Sequence, residues 1–245
     1  MSKKRYKNSA KTTYKYVSKY DKPTPVVAEI IEDVEDNTVE RYRELFTKEQ
    51  AELLKELPVT LEEYFDKEDI FVTDAFILAQ GNIPICLVAH MDTVHMTKPT
   101  KWQIRYNKEY HSYSSPLGIG ADDRAGIIAI LEILKKGHRP HVIFTTDEEI
   151  GGLGADAFTQ VFEDFPFDLK YFIQIDRRGT GQAVFYDCDN DLFELYINEF
   201  GFGTEIGSFT DIATFMEIYD IAGVNLSAGY VSEHTKVETL YVDAL

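Results

Sequence analysis

The segment Val88-Ala-His-Met-Asp-Thr-Val94 sets an imidazole and a carboxylate two residues apart at the end of an apolar run over 83–89. In a strand, residues i and i+2 share a face. His90 and Asp92 therefore point the same way from the carboxyl end of the strand, where open α/β sheets hold their ligands. A lone H-x-D is equally well read as a histidine satisfied by a nearby acid. Four further junctions repeat the habit: Asp122-Asp123, Asp147-Glu148-Glu149, Asp176 and His234. Alone, Glu148-Glu149 would be a solvated turn. Five such junctions on one sheet edge crowd carboxylates together, a repulsion that a compact domain tolerates poorly unless cations neutralise it. Mixed carboxylate and imidazole donors suit zinc, with Mn²⁺ or Co²⁺ as competitors. Two cations held close together clamp a water and a carbonyl oxygen. Adjacent residues in extended chain point oppositely, so Glu148 and Glu149 are free to take different tasks.

The elements that must carry these residues alternate between two periods. A helical pattern covers 38–57, with Pro58 predicted to stop it. A strand over 69–80 is expected to turn through Gly81-Asn82 into the 83–89 strand as a hairpin. A polar loop follows over about 97–117. Glycines then open a helix over 118–137 that Gly137 closes. Strands are expected at 140–149, 171–179, 183–187 and 222–230, and helices at 153–164 and 210–220. Strand–helix alternation predicts an α/β three-layer sandwich with a mixed, mostly parallel central sheet flanked by helices.

Composition narrows the function classes. Among 245 residues, 44% are hydrophobic and 13% aromatic, as in a globular protein. The net charge is −17, yet residues 1–22 carry eight Lys/Arg against one Asp, near +7, which leaves the remainder near −24. So acidic a body argues against nucleic acid as a partner. No apolar run reaches the length of a membrane span, which argues against a membrane partner. The basic start has no apolar stretch after it and does not read as a secretion signal. Cys86 and Cys188 give no disulfide framework, and a reducing, cytoplasmic setting is expected. Residues 1–24 read as a basic arm and 25–245 as one catalytic domain.

In order, H-x-D-T-V at 90–94, G-A-D-D-R-A-G at 120–126, T-D-E-E-x-G at 146–151, a strand-terminal Asp176 and a late His234 resemble the dizinc exopeptidases. That group includes peptidase T, the bacterial zinc aminopeptidases, carboxypeptidase G-type enzymes and aminoacylases. The resemblance runs from about residue 70 to the C-terminus. It implies that Asp122 bridges two metal ions, that His90 and Asp176 complete one site, and that Glu149 and His234 complete the other. It implies Glu148 as general base and Asp92 as the carboxylate that orients the His90 ring, together with a cis peptide between Asp122 and Asp123. An orienting carboxylate of that kind commonly backs a ligating imidazole.

Only 57 residues separate Asp176 from His234, too few for the lid and dimerisation domain that several members insert there. The resemblance is therefore to the catalytic domain alone. Any homo-oligomer would have to form without that lid. Aminopeptidase action on peptides is the leading expectation. The alternatives are a carboxypeptidase or a deacylase of small N-acyl amino acids and, from another class, a non-catalytic, metal-stabilised binding protein. His95, His111, His138 and His141 fall outside the motifs and are expected at the surface or in loops. Arg177-Arg178 read as a structural ion pair, or else as a binder of a substrate carboxylate. Ser208 to Asp211 reads as a helix N-cap.

Overall fold

The computed structural model describes residues 32–186 and 190–245. The boundary expected at residue 24, like the whole basic arm, lies outside them, as does Cys188. The described chain divides into two units between residues 43 and 44. Elements run α1 (Glu32–Leu45), α2 (Gln50–Leu61), β1 (Ile70–Val72), β2 (Phe76–Ala79), β3 (Ile83–His90), β4 (Arg105–Asn107), β5 (Ser112–Ser114), α3 (Ala121–Lys135), β6 (Pro140–Thr145) and α4 (Leu153–Val161). They continue with β7 (Tyr171–Arg177), β8 (Gln182–Val184), α5 (Asp191–Asn198), β9 (Gly203–Thr204), α6 (Asp211–Tyr219), β10 (Gly223–Ser227), β11 (Tyr230–Val231) and β12 (Thr239–Tyr241).

Eight strands form the central sheet in the order β1-β2-β6-β3-β7-β10-β8-β9. Its middle is parallel, β6 to β3 to β7 to β10, with antiparallel partners at β1–β2, β2–β6 and β10–β8. The sheet is mixed and mostly parallel, and helices cover both faces. Alternation decides which residue meets which layer. Leu87, Ala89, Val142 and Phe144 face Leu53, Leu57 and Leu61 of α2 and Ile127, Ile130 and Leu134 of α3. Their neighbours Cys86, Val88 and Ile143 face the other way, onto Phe158 of α4 and Ile212 and Phe215 of α6. Cys86 is thus a core residue, and burial pushes its thiol pKa up.

Several local expectations are corrected. The single strand over 69–80 is two strands, β1 and β2, folded back on each other. Thr73 makes the turn: its hydroxyl accepts from the N–H groups of Ala75 and Phe76. β2 and β3 do not form a hairpin, because β6 lies between them. Gly81 permits this by close approach rather than by turn geometry. A Cβ there would lie 2.2 Å from the Arg139 carbonyl oxygen and 2.3 Å from that of Pro140. Pro58 does not end its helix but sits inside α2, which Leu53, Leu57 and Leu61 hold against the core at i,i+4 spacing. The helical pattern breaks earlier instead, between α1 and α2, where Glu49 and Glu52 form a capping box. The polar loop over 97–117 contains β4 and β5, which join β12 and β11 in a second, four-stranded sheet.

Candidate active site

The parallel strands end level with one another. His90, last in β3, pairs in register with Thr145, last in β6, and Val88 pairs with Gln174 of β7, two residues before Asp176. All the sequence-selected residues meet at this edge: His90, Asp92, Asp122, Glu148, Glu149, Asp176 and His234. Two donor groups form, His90-Asp122-Asp176 and Asp122-Glu149-His234, with the ligand atoms of each within 4.8 Å of one another. Asp122 belongs to both. Its Oδ1 lies 3.1 Å from His90 Nε2 and its Oδ2 3.1 Å from His234 Nε2. Asp176 Oδ1 is 3.5 Å from His90 Nε2, and Glu149 Oε1 is 3.1 Å from His234 Nε2. Glu148 projects beside them, its Oε2 3.9 Å from His90 Nε2.

Asp92 organises two elements at once. Its Oδ1 lies 3.1 Å from His90 Nδ1 and accepts from the Glu148 N–H, while its Oδ2 accepts from the Glu149 N–H, both at 3.0 Å. The end of β3 thereby fixes the loop after β6. On the far side of that loop, Gln50 of α2 donates to Asp147 Oδ1 and accepts from the Asp147 N–H. Asp147 and His234 both adopt left-handed φ, 57° and 61°, a region non-glycine residues seldom occupy outside constrained sites. The Asp122-Asp123 peptide is cis.

The electrostatics are those of crowded, buried acids. Burial pushes Glu148 up to about 9, against the pull of His90 and with the repulsion of Asp176, Asp211 and Glu149. Burial and Asp122 push Glu149 up to about 7 and Asp176 to about 6. Desolvation disfavours charge on His90, but Asp176, Asp122 and Asp92 outweigh it and hold its pKa well above the ordinary value. The hydrogen bond to Asp122 lifts His234 to about 9. Each group reports a shortage of positive charge. Glu149 Oε1 is also buried without a hydrogen-bond partner. An orphaned carboxylate oxygen beside an imidazole nitrogen, in a set of oxygen and nitrogen donors, fits divalent cations.

Several supporting residues were not singled out for this role by the sequence. Glu238, fully buried, accepts from the N–H groups of Ile119, Gly120 and Asp122, and its Oε2 lies 2.9 Å from His95 Nε2. It is a lone acid far along the chain, set by the second sheet. Arg124, buried at 1% exposure, donates to the carbonyls of Met91, Asp92 and Lys48. Asp176 is held by Thr210, Gln174 and Tyr230. Here the N-cap expectation is corrected: the Thr210 side chain does not cap α6, because its hydroxyl goes to Asp176. Of the four remaining histidines, His138 is exposed and His95 and His111 lie in loops. His141 is not at the surface: it is buried in β6, accepts from the Gly81 N–H and stacks on Phe167. Arg178 makes the expected ion pair, with Glu233.

Part of the chain that forms this edge is similar to known proteins. Residues 86–186 match the model of Peptidase family M20/M25/M40. The match spans β3 through β8 and includes every candidate site residue except His234. A search of curated proteins finds no match. Among solved structures, aminopeptidase PepT from Bacillus cereus is similar at TM-score 0.63 and 15% identity, over 85% of this chain and 94% of that one. A tripeptidase from Staphylococcus aureus is similar at 0.62 and 15%, over 86% and 94%. An aminopeptidase from the archaeon Desulfurococcus kamchatkensis follows at 0.57 and 13%, over 85% and 91%. At such identities the likeness is one of fold. Fold, family match and motif order together define a chain that resembles the dizinc exopeptidases through their catalytic domain. They support a peptidase.

Proposed function

We propose that the protein is a dinuclear metal-dependent exopeptidase, an aminopeptidase that removes residues from the N-termini of peptides. The observation that carries this reading is Asp122, whose two carboxylate oxygens face two separate donor groups. His90, Asp122 and Asp176 would hold one cation, and Asp122, Glu149 and His234 the other, zinc fitting the donors best and Mn²⁺ or Co²⁺ being able to replace it. Two such cations, when bound, make water more acidic and polarise a substrate carbonyl.

The chain's own groups do the rest. Glu148 is held within reach of the donor groups by the bonds from its own and the next backbone N–H to Asp92. It accepts a proton from water as the water oxygen bonds to the peptide carbonyl carbon. It then delivers that proton to the amine that leaves as the C–N bond breaks. Burial and the neighbouring acids raise the Glu148 pKa; cations held by the two donor groups would pull it back down and leave the carboxylate free to take the proton. Asp92 keeps the His90 ring turned with Nε2 toward Asp122 and Asp176.

Three solved structures of similar fold are named as an aminopeptidase, a tripeptidase and an aminopeptidase, which favours the amino-terminal direction over deacylase or carboxypeptidase action. Glu148→Gln is the test. The variant should bind metal as the wild type does yet turn over aminoacyl amides and short peptides at least about a thousandfold more slowly. Equal turnover by the variant would remove Glu148 from the mechanism.

A further inference from the structure

A groove of about 1010 Å³ leads off the cleft of about 510 Å³ that opens beside the donor groups. The two share Tyr186 and residues 206–208 as walls. Beyond them the groove follows one face of α6. Ala213, Met216, Glu217 and Asp220 line it at i, i+3, i+4 and i+7, the spacing of a single helix stripe. α6 starts beside the site, where the Thr210 hydroxyl donates to Asp176, so its C-terminal end lies away from the donor groups. Its nine residues make it about 13 Å long, a distance that an extended peptide covers in about four residues.

The groove is acidic along that length. Glu194, Glu205, Glu217 and Asp220 line it, and no Lys, Arg or His does. Glu205, Glu217 and Asp220 are exposed and form no ion pair with a described residue. Acids on other surfaces have cations: Lys48 pairs with Glu56, Lys135 with Glu132 and Arg178 with Glu233. Position adds an independent argument. Glu217 lies in the last turn of α6 and Asp220 caps its end, where free carbonyls make the helix negative and a basic residue is favoured. Two acids there raise the energy of the native state, and a cation from outside the chain relieves it. Val184, Met216 and Ile221 give the groove apolar surface, which suits the aliphatic stems of Lys and Arg.

We infer that this groove binds the part of a peptide substrate downstream of the cut, and that it favours peptides carrying Lys or Arg about three to six residues from the N-terminus. The inference rests on the aminopeptidase reading above. An aminopeptidase holds a single residue before the bond to be cut, so a groove leading off the cleft takes the residues after it. Charge complementarity along such a groove selects among partners more than it adds raw affinity. Glu205, Glu217 and Asp220 are thus specificity residues and take no part in proton transfer.

The test uses the metal-loaded full chain and three peptides: Ala-Ala-Ala-Lys-Lys-Ala, its counterpart with Gln-Gln in place of Lys-Lys, and Ala-Ala-Ala. Release of the N-terminal alanine gives kcat/KM, and calorimetry on the Glu148→Gln form gives binding. At low salt the Lys peptide should exceed the Gln peptide at least about tenfold in kcat/KM, and the ratio should shrink as salt is added. The combined variant Glu205→Gln, Glu217→Gln and Asp220→Asn should bring the ratio close to one. Asn tolerates the left-handed φ of 53° at position 220. The same change of charge near the start of β1, at the exposed Glu63→Gln, Asp66→Asn and Glu68→Gln, should leave the ratio as it is. Equal handling of the Lys and Gln peptides by a wild type that cleaves Ala-Ala-Ala would overturn the inference and leave the peptidase reading intact. So would a preference that survives in the folded groove variant, or one that the distant variant loses as well. Preferential binding of the Lys peptide with no cleavage of any of the three would keep the groove and overturn the peptidase reading. If none is bound or cleaved, both fall together.

Discussion

At the scale of single residues, Asp92 makes the sharpest demand on the account. Its carboxylate touches the His90 ring and two backbone N–H groups, so it both orients a donor and positions the loop that carries Glu148. Asp92→Ala should weaken metal affinity about 10–100-fold, read by competition against a chelator, with the overall fold kept. An unchanged affinity would make it a structural acid only. His141 tests a site remote from the metal donors. Burial holds its pKa below the ordinary value of 6.5, so folding favours the neutral ring. Stability from that preference is present above the unfolded pKa and is lost as pH falls through it toward the lower folded value. Denaturant titrations from about pH 7 to about pH 5 should show wild type losing more stability than His141→Phe. Parallel curves would contradict the assignment.

The seven candidate site residues were legible as a set rather than one by one: His90-x-Asp92 or Glu148-Glu149 alone has an ordinary reading, but five junctions where an apolar run meets acids or imidazoles recur in order along the chain. His141 belongs to no such set, and its burial could not be read. Nothing local reveals that Phe167 stacks on it or that the Gly81 N–H needs an acceptor. Glu238 was invisible because its partners lie 116 to 143 residues earlier in the chain.

At the scale of elements, what decides the site is how strand ends and loops are clamped. The turn into α3 has three N–H groups, of Ile119, Gly120 and Asp122, directed onto Glu238, which immediately precedes the short β12 of the second sheet. Glu238→Ala would orphan these donors and should lower stability by about 3 kcal/mol, measured by urea unfolding. It should also loosen the Asp122 position and so reduce metal affinity. Gly81→Ala is a second check on the topology. A Cβ there meets backbone rather than a movable side chain, so the variant should be destabilised well beyond the cost of an ordinary surface change. Periodicity and glycine placement sufficed to read α3, β3, β6 and β7. They failed where contact outranked pattern: Gly81 looked like a hairpin turn but makes room for β6, and Pro58 looked like a stop but is held in α2 by Leu53, Leu57 and Leu61. Short pieces such as β4, β5, β11 and β12 have too few residues to show a period at all.

At the scale of the whole molecule, charge is the dominant feature. The described body is strongly acidic and gathers several buried carboxylates at one sheet edge, so cations bound there should stabilise the native state over the unfolded chain. At free metal a hundred times the dissociation constant, the gain is about 2.7 kcal/mol, visible as a rise in melting temperature that chelator reverses. Among the described residues no helix is long and apolar enough to cross a membrane. Asp122 is proposed to join two metal sites, and elemental analysis of protein purified without chelator tests this most directly. Near two divalent ions per chain are expected, about one in His234→Ala, and almost none in Asp122→Ala. Protein that binds no metal even after exposure to Zn²⁺, Mn²⁺ and Co²⁺, or that keeps both ions without Asp122, would contradict it.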